Sequence, residues 1–162
     1  MILLGMRPEI SAGAIIYRRY KKRREYLLLH YGAGHWDFAK GHLEGQETAQ
    51  VAAKREIFEE TGLRNVRFHP NFKENIKYWL WPYRYKQVRI QTNPQTKPSK
   101  VLKIVTFFLA ESLSSAVRLS HEHSGYVWLP YKEAVKMVTY NSAKDLIKKA
   151  ENTFIHGNIS GK

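Results

Sequence analysis

Residues 48–61, TAQVAAKREIFEET, constrain this chain more than any other stretch. They contain neither Gly nor Pro, carry three alanines, begin at a Thr able to cap a helix, and stop at Gly62, where a C′ glycine would end one. A helix over this span sets Glu56, Glu59 and Glu60 at i, i+3 and i+4, on one face. Its opposite face carries Ala49, Ala53 and Ile57, which call for a sheet to pack on.

The segments that could form that sheet lie on both sides of the helix. EISAGAIIYRR (9–19) and EYLLLHY (25–31) read as strands joined by a basic hairpin turn, YKKR. Residues 31–47 carry four glycines and read as loop with a short strand. Residues 66–85 read as strand pieces around Pro70 and Pro82, and the polar stretch 86–100 as an exposed loop. The apolar run VLKIVTFFLAES (101–112) has the continuity of a central strand, and GYVWLPY (125–131) follows as another. YKEAVKMVTY (131–140) and SAKDLIKKAENTF (142–154) then read as helices, with Val135, Val138, Leu146 and Ile147 as core positions. Strands with interspersed helices define a mixed α/β class, and no repeat or linker divides the 162 residues into two domains.

Hydrophobic residues make up 43% and charged residues 25%, the composition of a globular chain. No apolar run approaches the roughly 20 residues of a membrane span. The opening MILLGM is too short for a secretory signal and lacks its basic flank, and Met6 competes with Met1 as the start. With no cysteine, disulfides, thiolate nucleophiles and cysteine-ligated zinc are excluded, and a cytoplasmic location is expected. The balance of 27 Lys and Arg against 14 Asp and Glu favours anionic ligands such as polyphosphates, nucleic acid or membrane headgroups without choosing among them.

Against that net charge of +13, three glutamates within five residues require an explanation. A solvated helix face is one, and a metal site is the other. Arg55 can pair with Glu59 at i+4, which leaves Glu56 and Glu60 to find other cations. Hard divalent ions take oxygen ligands, and magnesium is commonly held by one or two carboxylates together with substrate phosphate. The flanks decide between the two. Residues 41–63 read GHLEGQETAQVAAKREIFEETGL, with Gly41, Glu47, Arg55, Glu56, Ile57, Glu59, Glu60, Gly62 and Leu63 in the spacing G-x5-E-x7-R-E-U-x-E-E-x-G-U. This segment resembles the Nudix box. The resemblance implies the Nudix fold, a mixed β-sheet sandwiched between α-helices, and hydrolysis of a nucleoside diphosphate linked to another moiety.

By that resemblance Glu56, Glu59 and Glu60 ligate Mg2+ or Mn2+, the Gly41 carbonyl joins them, and Glu47 and Arg55 orient the ligands. Stretches outside the box, GHWDFAKGH (34–42), FKENIKY (72–78), TFFLAE (106–111) and RLSHEHSGYVWL (118–129), resemble the diadenosine tetraphosphate hydrolases of animal and archaeal type. Carried over residue by residue, His35 and Lys40 contact the phosphate chain, Glu122 joins the metals or acts as base, Tyr78 and Tyr126 sandwich an adenine, and Lys103 contacts phosphate. Lys73 and Lys100 are weaker matches for the same role. Trp36, Trp128 and Phe107 read as core.

Two departures stand out. The family's paired prolines before Lys-Gly are replaced by Asp37-Phe38-Ala39, and the basic segment 84–100 is longer than the corresponding hairpin, as a lid or a contact for a larger anion would be. The expected reaction is cleavage of diadenosine tetraphosphate to ATP and AMP. Three alternatives stay open: pyrophosphate or cap removal from RNA 5′ ends, a nucleotide sensor without turnover, and a basic nucleic-acid-binding domain.

Overall fold

Two strands set the frame. In the computed structural model, which describes residues 8–81 and 100–157, β1 (Glu9–Tyr20) is buried at every position from Ser11 to Tyr17. The central strand expected over 101–112 is β6 (Val101–Ser112), buried from Val105 to Ala110. Continuous burial of this kind means both faces are covered. The two strands pair in parallel, Glu9 with Lys103 through Tyr17 with Glu111. Side chains then alternate between two cores. Ile15, Tyr17, Val105, Phe107 and Leu109 pack one way; Ala12, Ala14, Ile16, Phe108 and Ala110 pack the other.

The remaining strands join antiparallel. β2 (Arg23–Tyr31) follows β1 through a two-residue turn. β3 (Trp36–Asp37) and β7 (His123–Pro130) both pair with β2, β4 (Ala39–His42) pairs with the first half of β1, and β5 (Val66–Leu80) pairs with β6. The resulting seven-stranded mixed sheet runs β3-β2-β1-β6-β5 along its main path.

One face is covered by α1 (Ala49–Thr61), which buries Ala52, Ala53 and Ile57 against it. Glu56 and Glu60 are buried as well, so the acidic edge adjoins the packed face rather than lying opposite it, as positions three and seven residues beyond Ala53 must. The other is covered by α2 (Tyr131–Met137) and α3 (Asn141–Gly157) through Ala134, Val138, Ala143, Leu146, Ile147 and Ala150. This is the α/β sandwich that the resemblance implies.

The caps of α1 are those its sequence calls for. The Thr48 hydroxyl accepts from the Val51 N–H at 3.3 Å, and Gly62, at φ 71°, donates its N–H to the Phe58 carbonyl at 2.8 Å. A left-handed φ is the reason glycine stands there.

Other expectations are corrected. Residues 66–80 form one strand rather than pieces, because Pro70 sits in a bulge: Phe68 pairs with Ala110, and pairing resumes only at Lys73 with Phe108. A proline, which has no N–H to give a ladder, is tolerated in such a gap. The loop expected over 31–47 contains two short strands, and the first of the two last helices stops at Met137. The inserted segment expected over 84–100 lies, apart from Lys100, outside the described residues, as do Met1, Met6 and Pro82.

Ile57 is the largest of the fully buried side chains through which α1 packs on the sheet. Ile57→Ala should lower unfolding free energy by about 2–5 kcal/mol, read as a lower urea midpoint at unchanged slope.

Candidate active site

The acidic edge of α1 sits over β4 because two glycines allow it. Gly13 on β1 pairs with Lys40, and a Cβ on Gly13 would fall 2.3 Å from the Ala39 carbonyl oxygen. A Cβ on Gly41 would fall 2.0 Å from Glu56 Oε1. A side chain at Gly13 would push β4 away from β1, and one at Gly41 would turn the Glu56 carboxylate out of its place.

Arg55 fixes the carboxylates from the other side. Its Nε and Nη2 donate to the two oxygens of Glu47 at 2.8 and 3.0 Å, and Nη1 donates to Glu56 at 2.8 Å and to Glu59 at 3.0 Å. Nη2 also reaches the His42 carbonyl at 2.9 Å. Those hydrogen bonds, with one from the Glu44 N–H, hold the Glu47 carboxyl down at about 2. The expected pairing of Arg55 with Glu59 is therefore one of several, and the expected pairing of Arg55 with Glu47 is present.

Glu56 and Glu60 behave differently from Glu47. Burial pushes the Glu56 carboxyl up to about 6 despite Arg55, with Glu60 and Glu59 adding to the rise. Glu60, more deeply buried, is raised too, and His123 only partly offsets the burial. Its Oε2 accepts from the Lys40 N–H at 3.3 Å and lies 3.1 Å from His123 Nε2. Glu60, Glu122 and His123 each bring one ligand atom to within 4.8 Å of the others. Thus the box helix and the SHEH block, distant in sequence, meet at one point.

A tyrosine links the remaining predicted residues. Tyr31 stacks on His35 at 4.6 Å and meets the His123 ring edge-on at 4.4 Å. Its hydroxyl donates to the Phe38 carbonyl at 2.6 Å and accepts from Lys40 Nζ at 3.2 Å. The Lys40 ammonium is also held by Asp37 at 2.8 Å. Burial opposes that charge, but Tyr31 and Asp37 outweigh it and raise the Lys40 pKa. The ammonium therefore has protein partners of its own. Burial lowers the His35 pKa, with Lys40 adding to the effect, which disfavours the imidazolium form. Lys103, 4.0 Å from Glu9, is lowered by burial, with Lys40 adding to the effect.

The two tyrosines stand apart in the sheet order. Tyr78 lies on β5 opposite Lys103 and packs against the core beneath α2 and α3. Tyr126 lies on β7 opposite Leu29 and is 42% exposed. Lys73 is exposed on β5, and Lys100 Nζ lies 4.1 Å over the Trp81 ring. Phe107 is buried, and Trp36 and Trp128 pack against the cores as expected.

Tyr31, Asp37 and His123 were not singled out by sequence. His123 had a signal: it stands beside Glu122 at the start of a strand. For Asp37 and Tyr31 there was none, because their roles come from contacts formed by folding.

The fold and this acidic helix belong together in known proteins. Residues 7–150 match the NUDIX domain, and the chain belongs to that family of hydrolases. Among its relatives, a bis(5′-nucleosyl)-tetraphosphatase [asymmetrical] of Sus scrofa is 30% identical over 151 residues, covering 86% of this chain and 90% of the relative. An RNA pyrophosphohydrolase of Histophilus somni is 27% identical, over 93% of this chain and 76% of the relative. The crystal structure of a C. elegans Ap4A hydrolase binary complex superposes with a TM-score of 0.72 at 28% identity, over 92% of this chain and 98% of that one.

Enzymes of this family use divalent metals. The residues here fit such an ion: carboxylates are gathered and partly buried, Gly41 is kept bare beside Glu56, and a buried imidazole beside Glu60 and Glu122 has no hydrogen-bond partner.

The raised Glu56 carboxyl has a consequence for the metal-free protein. A carboxyl raised from 4.5 to about 6 on folding contributes stability fully below pH 4.5 and loses it as pH climbs through 6. Relative to Glu56→Gln, wild-type protein in EDTA should lose about 2 kcal/mol of stability between pH 4 and pH 7.5, measured by urea unfolding. A pH-independent difference between the two would contradict the assigned burial cost.

Proposed function

We propose that this hydrolase splits diadenosine tetraphosphate asymmetrically into ATP and AMP. The observation that carries the reading is the meeting of Glu60, on the box helix, with Glu122, from the SHEH block, in a chain similar along most of its length to an asymmetrical tetraphosphatase. We assign Glu56, Glu59, Glu60 and Glu122, with the Gly41 carbonyl, to holding Mg2+ or Mn2+. Such ions, when bound, neutralise phosphate charge and lower the pKa of water.

The chain's own residues do the rest. Arg55 keeps Glu56 and Glu59 from swinging away. Glu122, exposed at the rim of the cluster, has a second carboxylate oxygen beyond the one it would give to an ion, and that oxygen takes the proton from the attacking water. As the water oxygen bonds to phosphorus, the bridging P–O bond breaks and one nucleotide leaves. His35 and Lys103 contact the polyphosphate, while Lys40 contributes positive charge from its place between Asp37 and Tyr31. Tyr126 offers its exposed ring to an adenine; Tyr78, packed on the core, offers less of its own. A base stacked on one aromatic ring gains on the order of 1–3 kcal/mol, enough to set which phosphorus lies over the carboxylates.

The likeness to an RNA pyrophosphohydrolase and the +13 charge make RNA 5′ ends the second reading. Turnover of diadenosine tetraphosphate and of 5′-triphosphorylated RNA, compared at equal Mg2+, separates the two. The first should exceed the second in kcat/KM by about tenfold or more; an RNA preference of that size would replace the proposal with the second reading. Glu60→Gln should lower kcat by about a hundredfold or more while circular dichroism stays unchanged. Undiminished activity would remove Glu60 from the reaction.

A further inference from the structure

The polar group that the reading above leaves unexplained is the His123 imidazole. Its side chain has 0% exposure, and neither ring nitrogen makes a hydrogen bond. A buried polar atom left without a partner is destabilising, so such a ring calls for a ligand. Nε2 lies 3.1 Å from Glu60 Oε2, yet out of line for an N–H to donate. That spacing suits two adjacent ligands of one ion: bonds of about 2.1 Å at right angles put ligand atoms about 3 Å apart. Glu122 supplies a third ligand atom, all three lying within 4.8 Å of one another, and its exposure leaves one side open for an ion to enter. The edge of Tyr31 against the imidazole, 4.4 Å away at 88°, fixes the plane of the ring.

We propose that Glu60, Glu122 and His123 form a mixed nitrogen–oxygen site for a first-row transition ion such as Mn2+, Co2+ or Zn2+. An imidazole ligand favours the later first-row ions such as Zn2+ and Co2+ most, and Mn2+, first in the same affinity series, least. Glu56, Glu59 and the Gly41 carbonyl offer only oxygen, so the two halves of the acidic cluster differ in the ion they select. The assignment rests on the reading of Glu60 and Glu122 as metal-binding residues and adds to it a nitrogen ligand and a preference among metals.

Electron spin-echo envelope modulation of Mn2+ bound to the substrate-free protein reads the ligand atoms directly. Wild-type protein should show the nitrogen modulation of a coordinated imidazole, and His123→Gln should lose it. Should His123→Gln fail to fold, a variant with His30, His35, His42, His69, His121 and His156 replaced by Gln must keep the modulation, which leaves His123 as the one histidine that can give it. Bound Mn2+ without nitrogen modulation would overturn the role of His123 and leave the carboxylate site standing. No Mn2+ bound to wild-type protein would overturn both. Modulation that survives His123→Gln would assign the nitrogen to another residue and overturn the proposal as well.

Discussion

The Arg55 guanidinium is the interaction on which the site depends. Three glutamates on one helical face repel, and on a solvated helix they would spread. Here one planar fork holds Glu47, Glu56 and Glu59 together and also ties them to the His42 carbonyl, at the end of β4. A lysine ammonium offers three donors on a flexible stem and has no fixed fork to satisfy so many acceptors. The guanidinium therefore joins loop, helix and strand as well as balancing charge. Glu60 lies outside its reach and relies instead on the Lys40 N–H and its neighbour His123.

A second constraint runs through Tyr31. Its ring touches His35 and His123, and its hydroxyl bridges the Phe38 carbonyl and Lys40. The β2–β3 connection, the start of the box and the start of β7 thus share one aromatic side chain. Where Asp37-Phe38-Ala39 stands in place of the family's prolines, Asp37 takes up the Lys40 ammonium. The loop gains an internal ion pair where the family pattern would supply a rigid backbone.

Much of this was legible in the sequence, and the reasons differ by residue. Thr48, Gly62 and the alanine face announced α1 because caps and periodicity are local properties. Helical spacing set Glu56, Glu59 and Glu60 close together, and the resemblance to the Nudix box, not the spacing, implied a metal there. The continuous apolar run at 101–112 announced a strand covered on both faces. Long-range contacts were not legible: nothing local told that Tyr31 would meet the His123 ring, that Pro70 would lie in a bulge of one long strand, or that His123 would meet Glu60 without a hydrogen bond. Those outcomes depend on which strands become neighbours, and a single sequence does not write that order down.

The β1–β2 hairpin carries a last consequence. Its turn uses Lys21 and Lys22 at φ 44° and 65°, a conformation that Asn-Gly adopts with far less strain. The turn alone is a poor guide to register. Glu25 serves instead: nearly buried, it accepts from Arg18 directly opposite with one oxygen and from Arg23 with the other. A slip of one residue would separate Glu25 from Arg18 and turn Leu27 and Leu29 toward the wrong layer. Because β2 also carries β7, and β7 begins at His123, that error would be felt at the acidic cluster, far from the hairpin. A charge pair near one end of the molecule thus acts as the alignment mark for chemistry at the other.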